Sequence, residues 1–463
     1  MNFTAWCRDC LTAPGRVTGP LGLSTLVLAL SLTGISGGAM AKDLFPYTPV
    51  VRSLDNGLRV VMVPFDSPGI VAYYTIVRAG SRNEVEAGKS GFAHFFEHMM
   101  FRGTERFSNV QYNALFRELG SDVNAYTSDD VTVYHSIFGK DGLEKVIDVE
   151  SDRFMNLKYS ESDFKQEAKA VLGEYNKNYS DPENKLYERV RETAFSAHTY
   201  KHTTMGFLDD IKNMPNQYVY SLEFFRRYYT PSNCVVLVVG DIDVDRTFAL
   251  IGRYYGPWKV PSYQPSIPAE PKQGEMRSSH IDWDNETLPY VAVAFKIPAF
   301  STRTRDSAAI DILAELLYES TSPLYRALVI DEQKVDEMEV YAPSRRDPGL
   351  FLVYARVKNP ADMDEVRDRI YAAAADAATK PFDEKRLADV KSNIRYSFAM
   401  SLDTARSVAR HLTFAIGLTG DPSSINDLYR RYDEVTQADL QKAAAAYFTK
   451  PESTVVTLTG GSM

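Results

Sequence analysis

The chain has 463 residues and a formal net charge of -9 at pH 7. This length exceeds that of a typical single domain, so at least two domains are expected. The acidic balance argues against a nucleic-acid-binding protein, because the sequence offers no basic stripe for phosphate groups.

The first forty residues differ from the rest of the chain and are typical of an export signal. Arg8 and Arg16 precede an apolar run from Leu21 to Ile35, and small residues follow it. This layout predicts a signal peptide over residues 1–41, cleaved after Ala41, and therefore an exported, periplasmic protein. The apolar run is short for a membrane-spanning helix, which needs about 20 residues, so an uncleaved anchor is the alternative.

Alternating strand and helix patterns follow, and they predict a first α/β domain over residues 42–258. Strand patterns have period two or are continuously apolar, whereas helix patterns have apolar residues three and four apart. The predicted elements are, in chain order, two strands around an Asn-Gly turn in 50–64, a strand in 69–80, helices in 90–100 and 109–120, a strand–turn–strand in 123–138, helices in 142–157 and 162–178, and a buried strand in "CVVLVVGDI".

A proline-rich segment then separates this domain from a second one. Five prolines occur in the eighteen residues of "GPWKVPSYQPSIPAEPKQ", which predicts a linker over residues 259–275. Strand and helix patterns resume in residues 276–463, and the ends of the two parts are similar: "YYTPSNCVVLVVGD" is echoed by "YFTKPESTVVTLTGG". The sequence therefore predicts an α+β protein made of two tandem, homologous α/β domains.

The most informative stretch is "GFAHFFEHMMFRGTERFS", which contains His94, Glu97 and His98. Histidines four residues apart lie on the same face of a helix, where both imidazoles can bind one zinc ion. Glu97 lies close to that face and can reach water at the metal. The order H-x-x-E-H is a known zinc-hydrolase signature, and it favours a metal site over two histidines buried in a core.

A catalytic zinc site needs a third protein ligand, and helix 162–178 offers candidates. Glu167 and Glu174 are seven residues apart, two turns along one face. They are either carboxylates directed at a cation or ordinary glutamates on a solvated face, and helix geometry alone does not decide between these.

The motifs that contain these residues resemble those of the pitrilysin-type zinc peptidases. This family includes the mitochondrial processing peptidase and the insulin-degrading enzymes. The resemblance rests on H-x-x-E-H, the trailing "GT", "VNAYTSDDVTVYH" and the E-x6-E pair, all in order. It covers essentially the whole chain after the signal, and it implies two α/β halves that face each other across a substrate chamber.

The resemblance also implies a role for each matched residue. The ligands of one Zn2+ per chain would be His94, His98 and Glu174, with Glu97 as the general base. Glu167 would be a supporting carboxylate that orients a ligand. An edge strand that adds the substrate backbone as an extra strand would include Asn124, Ala125 and Tyr126.

The chain departs from the family pattern in its second half. Complete members carry an arginine and, seven residues later, a tyrosine that bind substrate near the metal. Here the corresponding positions hold Val329 and Asp336. Some members divide the two parts between subunits, so we expect a zinc-bearing subunit of a heterodimer whose homologous partner supplies the Arg/Tyr pair.

Two other classes of function stay open at this stage. The chain could be a non-catalytic core or scaffold subunit, although such subunits usually lose the zinc motif. It could also be a peptide-binding or chaperone-like module that uses the same edge strand. The sequence favours a zinc endopeptidase that hydrolyses oligopeptides or unstructured segments.

Overall fold

A computed structural model of the chain describes residues 43–461. The predicted signal peptide and its cleavage point after Ala41 lie outside these residues. Within the same range, no helix has the length and apolar character needed to cross a bilayer.

The first sheet is built from six strands of the first half. They are β1 (Val50–Ser53), β2 (Arg59–Pro64), β3 (Ile70–Val77), β4 (Asp122–Thr127), β5 (Thr132–Gly139) and β6 (Cys234–Gly240). Their order is β1-β2-β6-β3-β5-β4, with β2 and β6 parallel and the other neighbours antiparallel. Every residue of the central strand β6 is buried, which explains why its sequence is continuously apolar.

The second sheet repeats most of this arrangement. Its strands are β7 (Arg277–Trp283), β8 (Tyr290–Ile297), β9 (Val335–Tyr341), β10 (Gly349–Val357) and β11 (Ser453–Gly460). The order is β7-β11-β8-β10-β9, with β7 and β11 as the parallel pair. The two strands that share the sequence echo, β6 and β11, therefore occupy equivalent places, and the predicted α+β fold with two repeated sheets is confirmed. Strands β7, β9 and β10 were not predicted. The polar and apolar residues of β7 do not alternate cleanly, and the segment that contains β9 and β10 was expected to be helical.

Helices flank both sheets. Those of the first half are α1 (Phe92–Met99), α2 (Asn109–Glu118), α3 (Leu143–Asn156), α4 (Glu161–Asn178), α5 (Pro182–Ala194), α6 (Leu208–Asn213), α7 (Tyr218–Tyr228) and α8 (Val244–Tyr255). Those of the second half are α9 (Asp306–Leu317), α10 (Met363–Thr379), α11 (Glu384–Met400), α12 (Ala405–Thr419), α13 (Ser424–Glu434) and α14 (Gln437–Tyr447). Before β9, a single helical turn at Pro323–Tyr325 continues into a π-helix at Arg326–Asp331.

The two halves exchange helices. Helix α5, from the first half, packs on β7, β8 and β11 of the second sheet, where Val190 meets Ala292 and Val456 in one buried cluster. Helix α12, from the second half, packs on β3 and β6 of the first sheet. Each sheet is thus covered on one face by its own helices and on the other by a helix from the opposite half. Because of this exchange, side chains of both halves pack together in shared buried clusters.

The proline-rich segment between α8 and β7 contains no helix or strand, but it is attached to the first half. The carboxylate of Glu270 accepts hydrogen bonds from the backbone N–H groups of Ser196, Ala197 and His198 at 2.9 to 3.0 Å. The domain boundaries placed around residues 259–275 stay a prediction.

Candidate metal centre

The helix that carries the paired histidines, α1, is fixed at its N-terminus by a buried carboxylate. Glu84 accepts hydrogen bonds from the backbone N–H groups of Gly91 and Ala93, both at 2.7 Å. Such a cap satisfies donors that the first helical turn leaves free. Gly91 has φ = 89°, and a Cβ there would lie 3.0 Å from the carbonyl oxygen of Met205. Helix α1 therefore starts at one defined place and angle.

The apolar face of α1 holds the helix in the core of the first half, and the opposite side faces a cavity. Phe92, Phe95 and Phe96 are fully buried and pack on other aromatic rings. The cavity, of about 340 Å³, is lined by His94, Glu97 and other residues. The 3.6-residue helical period thus separates a packing face from a chemical face.

Three ligand atoms converge at this cavity. The Nε2 atoms of His94 and His98 lie 3.8 Å and 3.4 Å from Oε2 of Glu174 on α4, and the donor atoms of the three residues all lie within 4.8 Å of one another. Two ligands about 2.0–2.2 Å from a tetrahedral zinc lie roughly 3.3–3.6 Å apart, so small rotamer adjustments would complete such a site. Within residues 43–461, no other group of three such side chains meets this criterion. The donor set fits zinc.

Glu167 is not one of the three grouped ligand residues, but it contacts His98 and orients its ring. Its Oε1 is 2.9 Å from Nδ1 of His98, and its other oxygen is paired with Arg102. With Nδ1–H donated to this carboxylate, Nε2 is the His98 nitrogen that faces Glu174, and it is the atom that would bind a metal ion. Both glutamates contact the histidines: Glu167 is buried, and Glu174 is partly exposed beside the cavity.

The charges of the cluster favour a cation between its members. Burial lowers the pKa of His98, but hydrogen bonds to Glu167 and Glu174 outweigh it and raise the pKa to about 10. The same hydrogen bond from His98 is the main cause that lowers the pKa of Glu174 to about 2 despite partial burial. For His94, burial dominates and lowers the pKa. A positive charge is thus stabilised where a metal ion would be bound.

The general-base candidate, Glu97, is held by a residue that sequence reasoning missed. The hydroxyl of Thr127 donates a hydrogen bond of 2.7 Å to Oε2 of Glu97. Thr127 is 2% exposed and is the last residue of β4. It lies in the quoted "VNAYTS", but no spacing rule connects that segment to a helix 30 residues earlier. The sequence gave no indication of the capping role of Glu84 either, whereas Arg102 is only four residues after His98 and could have been expected close to this cluster.

The predicted substrate strand, β4, is the edge of the first sheet. It pairs with β5 on one side, and its other side pairs with no strand among residues 43–461. Asn124 is exposed, Ala125 is buried, and Tyr126 is half-buried. The geometry is compatible with strand addition, and the substrate-binding role of these three residues stays a prediction.

The second half contributes one side chain to the cavity, Tyr341 at the end of β9. The two positions predicted to have lost the Arg/Tyr pair lie elsewhere. Val329 packs against the apolar core, and Asp336 is exposed and accepts a 2.8 Å hydrogen bond from Nε of Arg356. Neither lines the cavity that contains the metal ligands.

Comparisons with known proteins match both halves of the chain to models of one peptidase family. Residues 66–207 match the family model described as insulinase (peptidase family M16), and residues 221–394 match the one described as peptidase M16 inactive domain. The first range contains all three candidate ligands and the candidate base. The second contains none of them.

Individual relatives extend the similarity over nearly the whole chain. The zinc protease PqqE of Helicobacter pylori is 29% identical over 446 residues, which cover 95% of this chain and 98% of the relative. A probable mitochondrial-processing peptidase subunit beta of Schizosaccharomyces pombe is 23% identical over 406 residues, which cover 85% and 87%. The crystal structure of a protease from Helicobacter pylori matches with a TM-score of 0.83 at 29% identity, over 89% of this chain and 99% of that one.

Proposed function

Because the chain belongs to peptidase family M16, we propose that it is a zinc-dependent endopeptidase acting on oligopeptides or unstructured protein segments. The observation that carries the proposal is the convergence of His94, His98 and Glu174 beside Glu97 in one cavity. Each of the four side chains comes from a fixed helix, so the arrangement does not depend on a loop.

The residues of the site would divide the chemistry as follows. A zinc ion held by the three ligands would supply a Lewis acid and make water acidic near neutral pH. Glu97 would take a proton from the attacking water at Oε1, since Oε2 is engaged by Thr127, and would deliver it to the leaving amine. The free edge of β4 would hold the substrate backbone as an added strand, with Asn124, Ala125 and Tyr126 beside the scissile bond.

The test of catalysis is Glu97→Gln, which keeps the shape of the side chain and removes its basicity. The variant is expected to bind one zinc per chain, as the wild type does, and to lose peptide hydrolysis by about 10²- to 10⁴-fold. A variant that retains zinc and hydrolyses peptide at the wild-type rate would rule out the role of Glu97.

We further propose that the chain is the zinc-bearing subunit of an exported heterodimer. Val329 and Asp336 stand where complete members of the family carry the substrate-binding pair, and neither side chain can donate a hydrogen bond to a developing oxyanion. A homologous partner that carries the arginine and tyrosine would complete the site, as the resemblance implies. The export signal predicted over residues 1–41 supports a periplasmic location.

The purified chain alone tests this division of labour. The expectation is slow hydrolysis that rises when the homologous partner is added. Efficient hydrolysis by the single chain, unchanged when Arg and Tyr are introduced as Val329→Arg and Asp336→Tyr, would show that no partner is needed.

A non-catalytic core subunit is the second candidate, because the family model that matches residues 221–394 is described as an inactive domain. That range lies outside the metal cluster, however, and the cluster retains every ligand type that zinc requires. Zinc binding by the wild type without any peptide hydrolysis, with and without a partner, would favour this candidate.

A further inference from the structure

To act as a general base, the carboxylate of Glu97 has to be held in one orientation, and the position of its Cα alone does not determine that orientation. A glutamate side chain has three rotatable bonds, and beside a cation it is drawn towards that charge, where it would act as a ligand rather than as a base. A general base works only when it is held within hydrogen-bond reach of the proton it takes. The Glu97 carboxylate therefore requires a neighbouring group that fixes its orientation.

Thr127 is placed to do so. Its hydroxyl lies 2.7 Å from Oε2 of Glu97, and the residue is 2% exposed, so water does not compete for the hydroxyl. A hydroxyl donating to a carboxylate is a charge-assisted hydrogen bond, which is shorter and stronger than one between neutral groups. One oxygen of Glu97 is thereby engaged, and the other is left for the proton transfer.

The backbone of Thr127 is itself fixed. It pairs with Thr132 across the antiparallel β4–β5 ladder. The tight connection between the two strands is closed by a 2.8 Å hydrogen bond from the N–H of Ser128 to the carbonyl oxygen of Val131. The hydroxyl therefore comes from a rigid element, which is the usual requirement for a precisely placed catalytic group.

The second half of the chain reinforces this connection through Asp129, two residues after Thr127. Asp129 is buried and forms ion pairs of 2.6 Å with Arg191 of α5 and with Arg345, which follows β9. It also accepts a 2.8 Å hydrogen bond from the hydroxyl of Ser81. Because Arg345 belongs to the second half, that half helps to set the position of the strand end that holds the base.

We propose that Thr127 is a positioning residue for the general base, and that its hydroxyl restrains Glu97 in the geometry of proton transfer. The inference rests on the proposed peptidase function. It assigns Thr127 to the chemical step and gives it no part in binding the metal or the substrate backbone.

Thr127→Val removes the hydroxyl and nearly preserves the volume of the side chain. The expected result is a fall in kcat of about 10- to 100-fold, the effect typical of a misplaced catalytic group, with KM changed by less than about twofold. Zinc content should stay at one per chain. Thr127→Ser, which retains the hydroxyl, should recover most of the rate.

Thr132→Val is the matched control. Thr132 is also buried and lies opposite Thr127, but its hydroxyl donates to the carbonyl oxygen of Ala79 at 2.9 Å and does not reach Glu97. This variant should keep the wild-type kcat. If the two valine variants lower kcat equally, the loss is structural and the proposal is wrong.

Coupling to Glu97 gives a readout that a structural role would not produce. In a Glu97→Gln background, adding Thr127→Val should cause no further loss, because the restrained group no longer acts as a base. An additive loss would overturn the proposal. If Thr127→Val does not fold, the pair Thr127→Ser and Thr127→Cys makes the same comparison between a good and a poor donor, and equal kcat values would contradict the proposal.

This set of variants distinguishes a failure of the proposed peptidase function from a failure of the role assigned to Thr127. If Glu97→Gln is fully active, the proposed function has failed. If Glu97→Gln is inactive while Thr127→Val has the wild-type kcat, the function stands and only the role of Thr127 is wrong.

Discussion

Replacing Glu167 by glutamine is expected to weaken zinc binding without removing any zinc ligand. Glu167 holds Nδ1 of His98 at 2.9 Å, and its side chain is 10% exposed. The amide of a glutamine can still accept one hydrogen bond, but it has no charge to raise the basicity of the imidazole, and its NH2 group would face Arg102 unfavourably.

The expected size follows from the position of Glu167. Loss of a group that contacts a metal ligand typically lowers metal affinity by about 10- to 100-fold, which corresponds to about 1.4–2.8 kcal/mol. Because the Arg102 contact is lost in both the metal-free and the metal-bound protein, we expect the lower end of this range. Glu174→Gln, which removes a direct ligand, should cost more.

The assay is competition for zinc with a chromogenic chelator at pH 7.5, with the fold checked by circular dichroism. Glu161→Gln is the matched control, since Glu161 lies at the start of the same helix, is exposed, and pairs only with Lys165 among the ion pairs found in residues 43–461. Its zinc affinity should equal that of the wild type. A folded Glu167→Gln protein with wild-type affinity would refute the orienting role of Glu167.

Two further predictions concern stability. Burial raises the pKa of Glu270, but three backbone N–H donors outweigh this effect and lower the pKa to about 2. The stabilisation from the Glu270 carboxylate is therefore fully present above about pH 4.5, and it is lost as the pH falls towards 2. Urea unfolding should therefore show Glu270→Gln to be less stable than the wild type at pH 7 and nearly equal to it near pH 2.5, and a constant difference across this range would contradict the assignment. Arg345→Met breaks one of the two buried ion pairs of Asp129 and should lower the free energy of unfolding by about 3 kcal/mol, whereas Arg326→Met, at an exposed arginine, should change it by less than about 0.5 kcal/mol. Equal urea midpoints for the two arginine variants would show that the buried pair contributes little.

The sequence anticipated the features that depend on local periodicity. The four-residue spacing of His94 and His98 places both on one helical face, and the structure has them on helix α1 with their rings 4.8 Å apart. The strand patterns around the Asn-Gly turn and in "CVVLVVG" are strands β1, β2 and β6. These features follow from interactions within a few residues, which a sequence pattern records directly.

Residue patterns alone did not predict contacts between distant parts of the chain, and Glu174 was assigned to the histidines only through the family resemblance. The hydrogen bond from Thr127 to Glu97 joins a strand end to a helix, and the ion pair from Arg345 to Asp129 joins the two halves across 216 positions of the chain. The exchange of helices α5 and α12 between the sheets is of the same kind. Hydrophobic spacing shows that a helix has an apolar face, but it does not show which sheet that face covers.

Diffraction from crystals of the zinc-loaded protein, measured on both sides of the zinc absorption edge, locates the metal without reference to activity. The expected result is one anomalous peak within about 2.0–2.2 Å of Nε2 of His94, Nε2 of His98 and a carboxylate oxygen of Glu174, with Glu97 close by but not bonded to it. A peak at another site, or none at these three residues in a protein that contains zinc, would contradict the proposed metal centre.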